Sequence, residues 1–508
     1  MKICIQINKE LRDNIIKSFM TKFFLSLFLF LSDLLLAQET PRATIKSNGT
    51  IRYFEGIKTA QNFGDMFLES NIYGRVRNNN FYFDWDHESD AKSDEFVAAV
   101  GASIIMQSAK YNDFDFLAAF YGSFSDFDSS DSLSHFKSSK DTFSRYNYAK
   151  DGDRYMAVVG QANINYTGFK DTSIRVGRQL VETFYTKSND TKMIPNVFDG
   201  GVIATNLIPD TQLQLAYLAR GKNRDHTINH SVLMYDDRDS SSFTNWNGND
   251  DSAMHKGISY TRLKAAGKPT DSPLLILDFK NSSIQNLKID TSFYNVPELL
   301  SQGMLEANYQ FNFDGFSISP GVRYVRQFDD GAGSFASASL SGNAIANDEG
   351  YKTPNSLNAQ MIAARIVARV SDYKINLGYT NILDEADLVN PWRGFPTSGY
   401  TRSMGIYNWR ANTKSYRIEL VRNPNKDDVY RSLFIQASVL YVDSDEKKMI
   451  LSSAKKSDYL YYYIGFVQNI PSLPELQWRL RLGYAEFKDS PGSELNYLDS
   501  RFELNYMF

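Results

Sequence analysis

The residues equipped for chemistry in this chain are arginines, recurring at alternate positions of short apolar segments. Arg75 and Arg77 stand opposite Ile72 and Val76, Arg175 opposite Ile174 and Val176, and Arg323 opposite Val322 and Tyr324. Arg365 and Arg369 face away from Ala364, Ile366 and Ala368, and Arg417 from Tyr416, Ile418 and Leu420. Arg479, Arg481 and Arg501 follow the same rule against Leu480, Leu482 and Phe502. A side-chain period of two belongs to a strand. A guanidinium stays protonated at any relevant pH, and its planar fork matches a carboxylate. Several on one wall would offer an anion successive weak sites, the condition for passage rather than capture. Pairing with Glu69, Glu419 and Glu503 is the alternative role, and about half of the arginines are expected to hold the wall in shape that way.

Other chemistries find little support. His87, His135, His226, His230 and His255 all fall in predicted loops. His226 and His230 have a helical ligand spacing but no helix to carry it, so a solvated loop is expected there rather than a metal site. His230 and Ser231 are adjacent, no G-x-S-x-G elbow is present, and neither a P-loop nor a dinucleotide fingerprint occurs. The acidic clusters at 126–131, 236–239 and 249–251 lack the spacing of an EF-hand, so solvated loops are the default over calcium sites. The reading is a non-enzyme with no cofactor.

The segments that carry these arginines alternate throughout. Residues 67–86 read as a strand. Residues 96–108 and 114–124 read as a hairpin turning at 110–113, and 155–166 turns at 168–171 into 173–178. Residues 211–220, 276–283, 304–313, 317–328, 361–382, 415–423 and 477–487 continue the pattern, with the turn of 361–382 at Ser371-Asp372. Residues 357–370 are the main stretch whose period is also compatible with a helix. Tight turns at one end alternate with long polar connections at the other, the asymmetry of transmembrane barrels. The 31 tyrosines and 35 phenylalanines make 14% of the chain aromatic, and the net charge of −4 argues against a nucleic-acid partner. Mean hydropathy is only −0.39. A barrel strand shows lipid every second side chain, so such chains look hydrophilic on average.

Residues 23–36 are the long apolar run, preceded by Lys17 and Lys22 and followed by Ala37, which reads as a secretory signal peptide over 1–37, with Met20 a plausible true start. Its length falls short of the ~20 residues a spanning helix needs. The single cysteine, Cys4, lies before that run, so the mature chain forms no disulfide. A polar segment, 38–64, then leads into one domain over 65–508. The fold class is all-β: a single transmembrane antiparallel up-and-down barrel. Its final segment, 498–508, alternates Phe502, Leu504, Tyr506 and Phe508, an aromatic ending like the signal read by outer-membrane assembly machinery.

Three segments resemble the OprD-type porins, also called outer-membrane carboxylate channels. GRVRNNNFYFDWD (74–86) is similar to that family's first strand. RVGRQ (175–179) followed by NDTKMIPNVFDG (189–200) is similar to its third-loop region, and LDSRFELNYMF to its closing strand. The resemblance implies about 18 strands, an inward-folded third loop, and passive passage of small solutes, many bearing carboxylates, along basic wall residues. It matches Arg175 to a basic wall position, Lys192 to the basic loop position and Pro195 to the loop proline. Asp190 joins Lys192 as a candidate constriction residue. Arg75, Arg77, Arg175, Arg323, Arg365, Arg369 and Arg417 are the candidate lumen ladder. Two departures stand out: Lys192 replaces the usual arginine, and Leu180-Val181-Glu182-Thr183 replaces a proline often found after the G-R-Q element. The expected setting is the bacterial outer membrane, with the lipid bilayer, lipopolysaccharide, small hydrophilic solutes and assembly machinery as partners and either a monomer or a trimer as assembly. An outer-membrane barrel hydrolase and a non-conducting adhesin barrel are the alternatives.

Overall fold

The computed structural model describes residues 41–88, 94–128, 141–144, 147–148, 151–233, 253–346, 349–448, 450–451, 454–455, 458–488 and 495–508. The leader over 1–37, Met20, His135 and the acidic clusters at 236–239 and 249–251 lie outside them. Two short strands, β1 (Ala43–Ile45) and β2 (Ile51–Tyr53), pair with each other. The wall then begins with β3 (Asn71–Trp85), β4 (Glu95–Gln107), β5 (Phe114–Asp128), β6 (Tyr155–Tyr166) and β7 (Thr172–Gln179). It continues with β8 (Val197–Thr205), β9 (Thr211–Lys222), β10 (Leu274–Asn281), β11 (Leu287–Val296) and β12 (Leu300–Tyr309), whose arm is extended by β13 (Phe311–Phe313). Next come β14 (Phe316–Asp329), β15 (Ala359–Val370), β16 (Tyr373–Ile382), β17 (Thr413–Arg422) and β18 (Phe434–Asp443). A small hairpin, β19 (Ile450–Leu451) and β20 (Ala454–Lys455), precedes β21 (Tyr459–Ile470), β22 (Leu473–Phe487) and β23 (Tyr497–Met507).

Neighbouring wall strands pair antiparallel, and β23 returns to pair with β3, so 18 described strands close into a barrel. β13 only lengthens the contact with β14. Closure leaves no unpaired edge, as a bilayer core demands, because no water is there to satisfy a free N–H or C=O.

Burial is inverted relative to a soluble protein. Val176 is 59% exposed and Ile418 53%, while Arg75 is 1% and Glu503 4% exposed. The apolar belt faces outward and the charged face inward. An arginine turned to lipid at mid-membrane would cost about 2–4 kcal/mol. One rim is made of short turns whose corner residues sit in the left-handed region: Asn112, Asp113, Asp171, Asp210, Asn286 and Ser371. Asn and Asp tolerate that conformation by bonding their own backbone. The opposite rim carries most of the long connections.

Beyond strands β11, β18 and β21, which the sequence reading does not name, two details differ from expectation, and the ambiguous stretch 357–370 resolves as strand. The first wall strand starts at Asn71, because Phe63–Leu68 forms a helical turn capped by Asn62, whose Oδ1 accepts from the Asp65 amide at 3.0 Å. Residues 359–370 are strand β15, with Met361 and Ala363 inward and Ile362 and Ile366 outward. Residues 197–201 belong to β8 and not to the preceding loop. The Gly pair allows this: Gly200 lies at a register shift where a Cβ would collide with the Tyr217 carbonyl.

Candidate functional site: a lumen narrowed by two inward loops

The connection from β7 to β8, residues 180–196, is the third on the long-loop rim, and it folds into the barrel. The absent proline after Gln179 does not prevent this. Thr183 Oγ1 accepts from the amides of Tyr185 and Thr186 at 3.1 and 3.0 Å and turns the chain inward. The Asn196 amide donates to the Ser188 carbonyl at 2.9 Å and turns it back. Between these turns the loop crosses the lumen. Tyr185 reaches the wall at β12, its hydroxyl donating to the Gln302 carbonyl at 3.0 Å. Asp190 reaches β3, with Oδ2 2.7 Å from Arg75 Nη2 and Oδ1 2.8 Å from Arg77 Nη2. Counting β3 as the first wall strand, β12 is the tenth, so half of the 18-strand ring separates the two anchors.

A second inward segment, 383–412, joins β16 to β17. The Gly394 amide donates to the Tyr185 carbonyl and the Lys187 amide to the Trp392 carbonyl, both at 2.9 Å, so the two loops are zipped together. Asp387, within this segment, is buried. Its carboxylate accepts from the amides of Leu340 and Ala411 at 2.9 and 2.8 Å and from the Tyr351 hydroxyl at 2.7 Å. Phe395 stacks on Trp409 with ring centroids 5.1 Å apart. Sequence reasoning missed this segment. Its signal was present: Trp392, Phe395, Tyr400, Tyr407 and Trp409 crowd a stretch rich in Gly and Pro, and a solvated loop has no use for so many aromatics.

The arginines of the ladder divide into two kinds. Arg75 and Arg77 are buried against Asp190 and anchor the third loop. Arg323 and Arg365 share one carboxylate. Arg323 Nε donates to Glu306 Oε2 at 2.6 Å and Arg365 Nη2 to Glu306 Oε1 at 2.9 Å. Both guanidinium groups lie over the Tyr400 ring, at 4.5 and 4.7 Å from its centroid. Arg323 also donates to the carbonyls of Pro396 and Ser398 at 2.7 and 2.8 Å, tying the second loop to the wall. Arg417 pairs with Glu419 at 2.8 Å, and Lys374 with the same carboxylate at 3.0 Å. Arg175 and Arg369 make no side-chain hydrogen bond or ion pair among the described residues. On β22 and β23, Arg481 pairs with Glu503 and Arg501 with Asp499.

On the loop itself, Lys192 turns toward the wall, its ammonium 4.1 Å from the Phe81 ring centroid. The Pro195 carbonyl accepts from the buried Lys222 ammonium at 3.3 Å. His226 and His230 are not on a solvated loop. They are 1% and 3% exposed, and His226 Nδ1 lies 2.6 Å from His230 Nε2. Backbone pairing of His230 with Gly221 in β9 carries them under the rim.

Beside the loops lies a cavity of about 740 Å³. Its lining includes Lys288, Arg365, Arg369, Lys374, Arg402 and Arg417 against Asp290, Glu306 and Glu419, six basic side chains to three acidic. Arg402, which sequence reasoning also missed, is held over the rings of Phe395 and Tyr407 at 4.5 and 5.2 Å.

A closed 18-strand antiparallel barrel with an inward third connection is a fold shared with solved outer-membrane barrels. Solved structures with this fold include OccK8 (OprE) of Pseudomonas aeruginosa, 14% identical with a TM-score of 0.62, the match covering 87% of this chain and 99% of that one. OccAB1 of Acinetobacter baumannii is 13% identical with a TM-score of 0.63, over 86% of this chain and 96% of its own. OpdK of Pseudomonas aeruginosa, solved with vanillate, is 11% identical with a TM-score of 0.61, over 86% and 98%. No family model matches the sequence, and no curated protein matches it. At these identities the likeness is one of fold, and on that level the resemblance read from the sequence is borne out.

Proposed function

We propose that this chain is a porin of the bacterial outer membrane that admits small hydrophilic solutes by passive diffusion and favours those bearing a carboxylate or another anionic group. The observation that carries the reading is the 740 Å³ cavity, with six basic side chains against three acidic, beside the two crossing loops. Charge of one sign on a low-dielectric wall raises the local concentration of the opposite sign. Glu306 and Glu419 each engage two basic groups, which fixes the guanidinium planes without neutralising all of them. Arg369, on the cavity wall, then stands without a side-chain partner among the described residues as a cation for a passing solute. The volume falls in the range of about 300–1,000 Å³ that accommodates a small organic molecule. Vanillate, held by the similarly folded OpdK, is a carboxylate of that size class. The outward apolar belt supports a bilayer around the wall. Among the described residues nothing favours a hydrolase or an adhesin.

Swelling of proteoliposomes tests the reading. Small carboxylates should enter faster than neutral solutes of equal size at low salt. The difference should shrink as the Debye length falls from about 10 Å at 0.1 M to about 3 Å at 1 M salt. Equal rates at low salt would defeat the anionic preference, and no swelling from a folded barrel would defeat the porin.

A further inference from the structure

The cavity is lined only by residues between Ser282 and Gln436, which is to say by β11 to β18, their turns and the second inward loop. No lining residue comes from β3 to β9 or from β21 to β23. That other half of the lumen is occupied in part by the hairpin β1–β2. Ala43 and Ile45 pack with Met507 and against Tyr53 and Ile51. The Tyr53 ring stacks on Tyr73 of β3 at 4.6 Å with an interplanar angle of 5°. Met507 and Tyr73 alternate with outward residues on their strands and so mark the inner face.

The hairpin is tied at both ends. Its base is held to the short-turn rim. Thr44 Oγ1 donates to the Asp428 carbonyl at 2.9 Å, and Arg52 lies 3.7 Å from the Asp428 carboxylate. The following strand of chain bridges to the β4–β5 turn, with the Lys110 amide donating to the Lys58 carbonyl at 2.7 Å and the Ala60 amide to the Lys110 carbonyl at 2.8 Å. Its tip reaches the third loop. Asn48 Nδ2 donates to Glu182 Oε1 at 3.1 Å and to Ser188 Oγ at 3.4 Å. Gly49 turns in the left-handed region, at φ 83°, directly against the Asp190 backbone, where a Cβ would collide with the carbonyl. The residue that anchors the third loop to β3 is therefore also backed by the tip of the hairpin.

We propose that the hairpin 43–53 is a resident plug. It fills the β3 side of the lumen, braces the third loop at Asp190 from the short-turn side, and confines the solute path to the β11–β18 side, past Arg365, Arg369 and Arg417. It pairs with none of the wall strands, so it is separable from the barrel.

This inference rests on the porin reading, and single-channel recording separates the two. Removing residues 41–56 from the full chain should raise unit conductance by about half or more and admit larger solutes. A second variant carries a site-specific protease sequence in place of 54–59, which is exposed. It assembles with the hairpin present, is cut afterwards, and is recorded once the freed fragment has been washed away. It should show the same rise. Unchanged conductance in a folded deletion variant, or after loss of the fragment, overturns the plug. A full-length barrel and a deletion variant that are both silent sink the porin reading itself.

Discussion

Asp190 sits between Arg75 and Arg77, 2.7 and 2.8 Å away, at 3% exposure or less on the side chain of each. One carboxylate thus satisfies two buried cations and fixes the far end of the loop that crosses the lumen. Removing one partner of a buried pair leaves an uncompensated charge and costs about 3–5 kcal/mol. Asp190→Ala should loosen residues 180–196 to protease in detergent and leave two unpaired guanidinium groups in the lumen. Its reversal potential should move toward anions. A protected loop and an unchanged reversal potential would show that Asp190 is not the anchor.

Glu306 plays the same part on the opposite wall, holding Arg323 and Arg365. Glu306→Gln keeps the shape and removes the charge. Anion preference should increase, because two cations lose their shared counter-charge while the wall still holds them. A decrease would mean that the arginines collapse onto other partners.

The two inward loops meet at Gly394, where a Cβ would collide with the Phe184 carbonyl and the Tyr185 backbone. Gly394→Ala should push the loops apart and alter unit conductance, while the unfolding temperature of the barrel stays close to that of the parent. A change in unfolding temperature with no change in conductance would place Gly394 outside the constriction.

His255 lies on the long connection after β9. Its Nε2–H donates to the Ser337 carbonyl at 2.9 Å, and its Nδ1 accepts from the Gly257 amide at 3.1 Å. Burial is the main cause that pulls this imidazole from 6.5 down to about 4, with Asp387 opposing and Arg262 adding to the fall. The unfolded segment takes up a proton as pH falls through 6.5 and the folded one does not, so local stability drops across that window. The loss is complete below pH 4 and amounts to about 3 kcal/mol. The protection factor of the Gly257 amide, the intrinsic exchange rate divided by the observed one at each pH, should fall accordingly as pH drops from 6.5 to 4, and His255→Gln should flatten that dependence. A protection factor that stays constant between pH 6.5 and 4 would contradict this.

Most of the wall was readable from the sequence because lipid on one side and water on the other force a period of two, though β11, β18 and β21 escaped that reading. Arg365 and Ile366 could be assigned to opposite faces without knowing any neighbour. The turn at Ser371-Asp372 was readable for a similar reason, since a two-residue connection leaves little choice. What alternation cannot report is the pairing inside. Nothing in the spacing of Arg75 and Arg77 points to Asp190, 113 residues away from Arg77. The zipped loops at Tyr185 and Gly394 are invisible to periodicity as well, because neither is a strand. Aromatic crowding over 392–409 was the available hint that a connection turns inward. The hairpin at 43–53 gave less: its strands are three residues long, too short for any period to register.

Passage through an open lumen is set by the arginines on the β15 wall. The most direct test is the reversal potential of single channels in planar bilayers under a salt gradient, for the parent and for Arg365→Gln with Arg369→Gln. Conductance should be ohmic, the parent's reversal potential should lie on the anion side, and the variant's should shift toward cations. A folded, trypsin-resistant barrel that carries no current, or an identical reversal potential in both proteins, would contradict it.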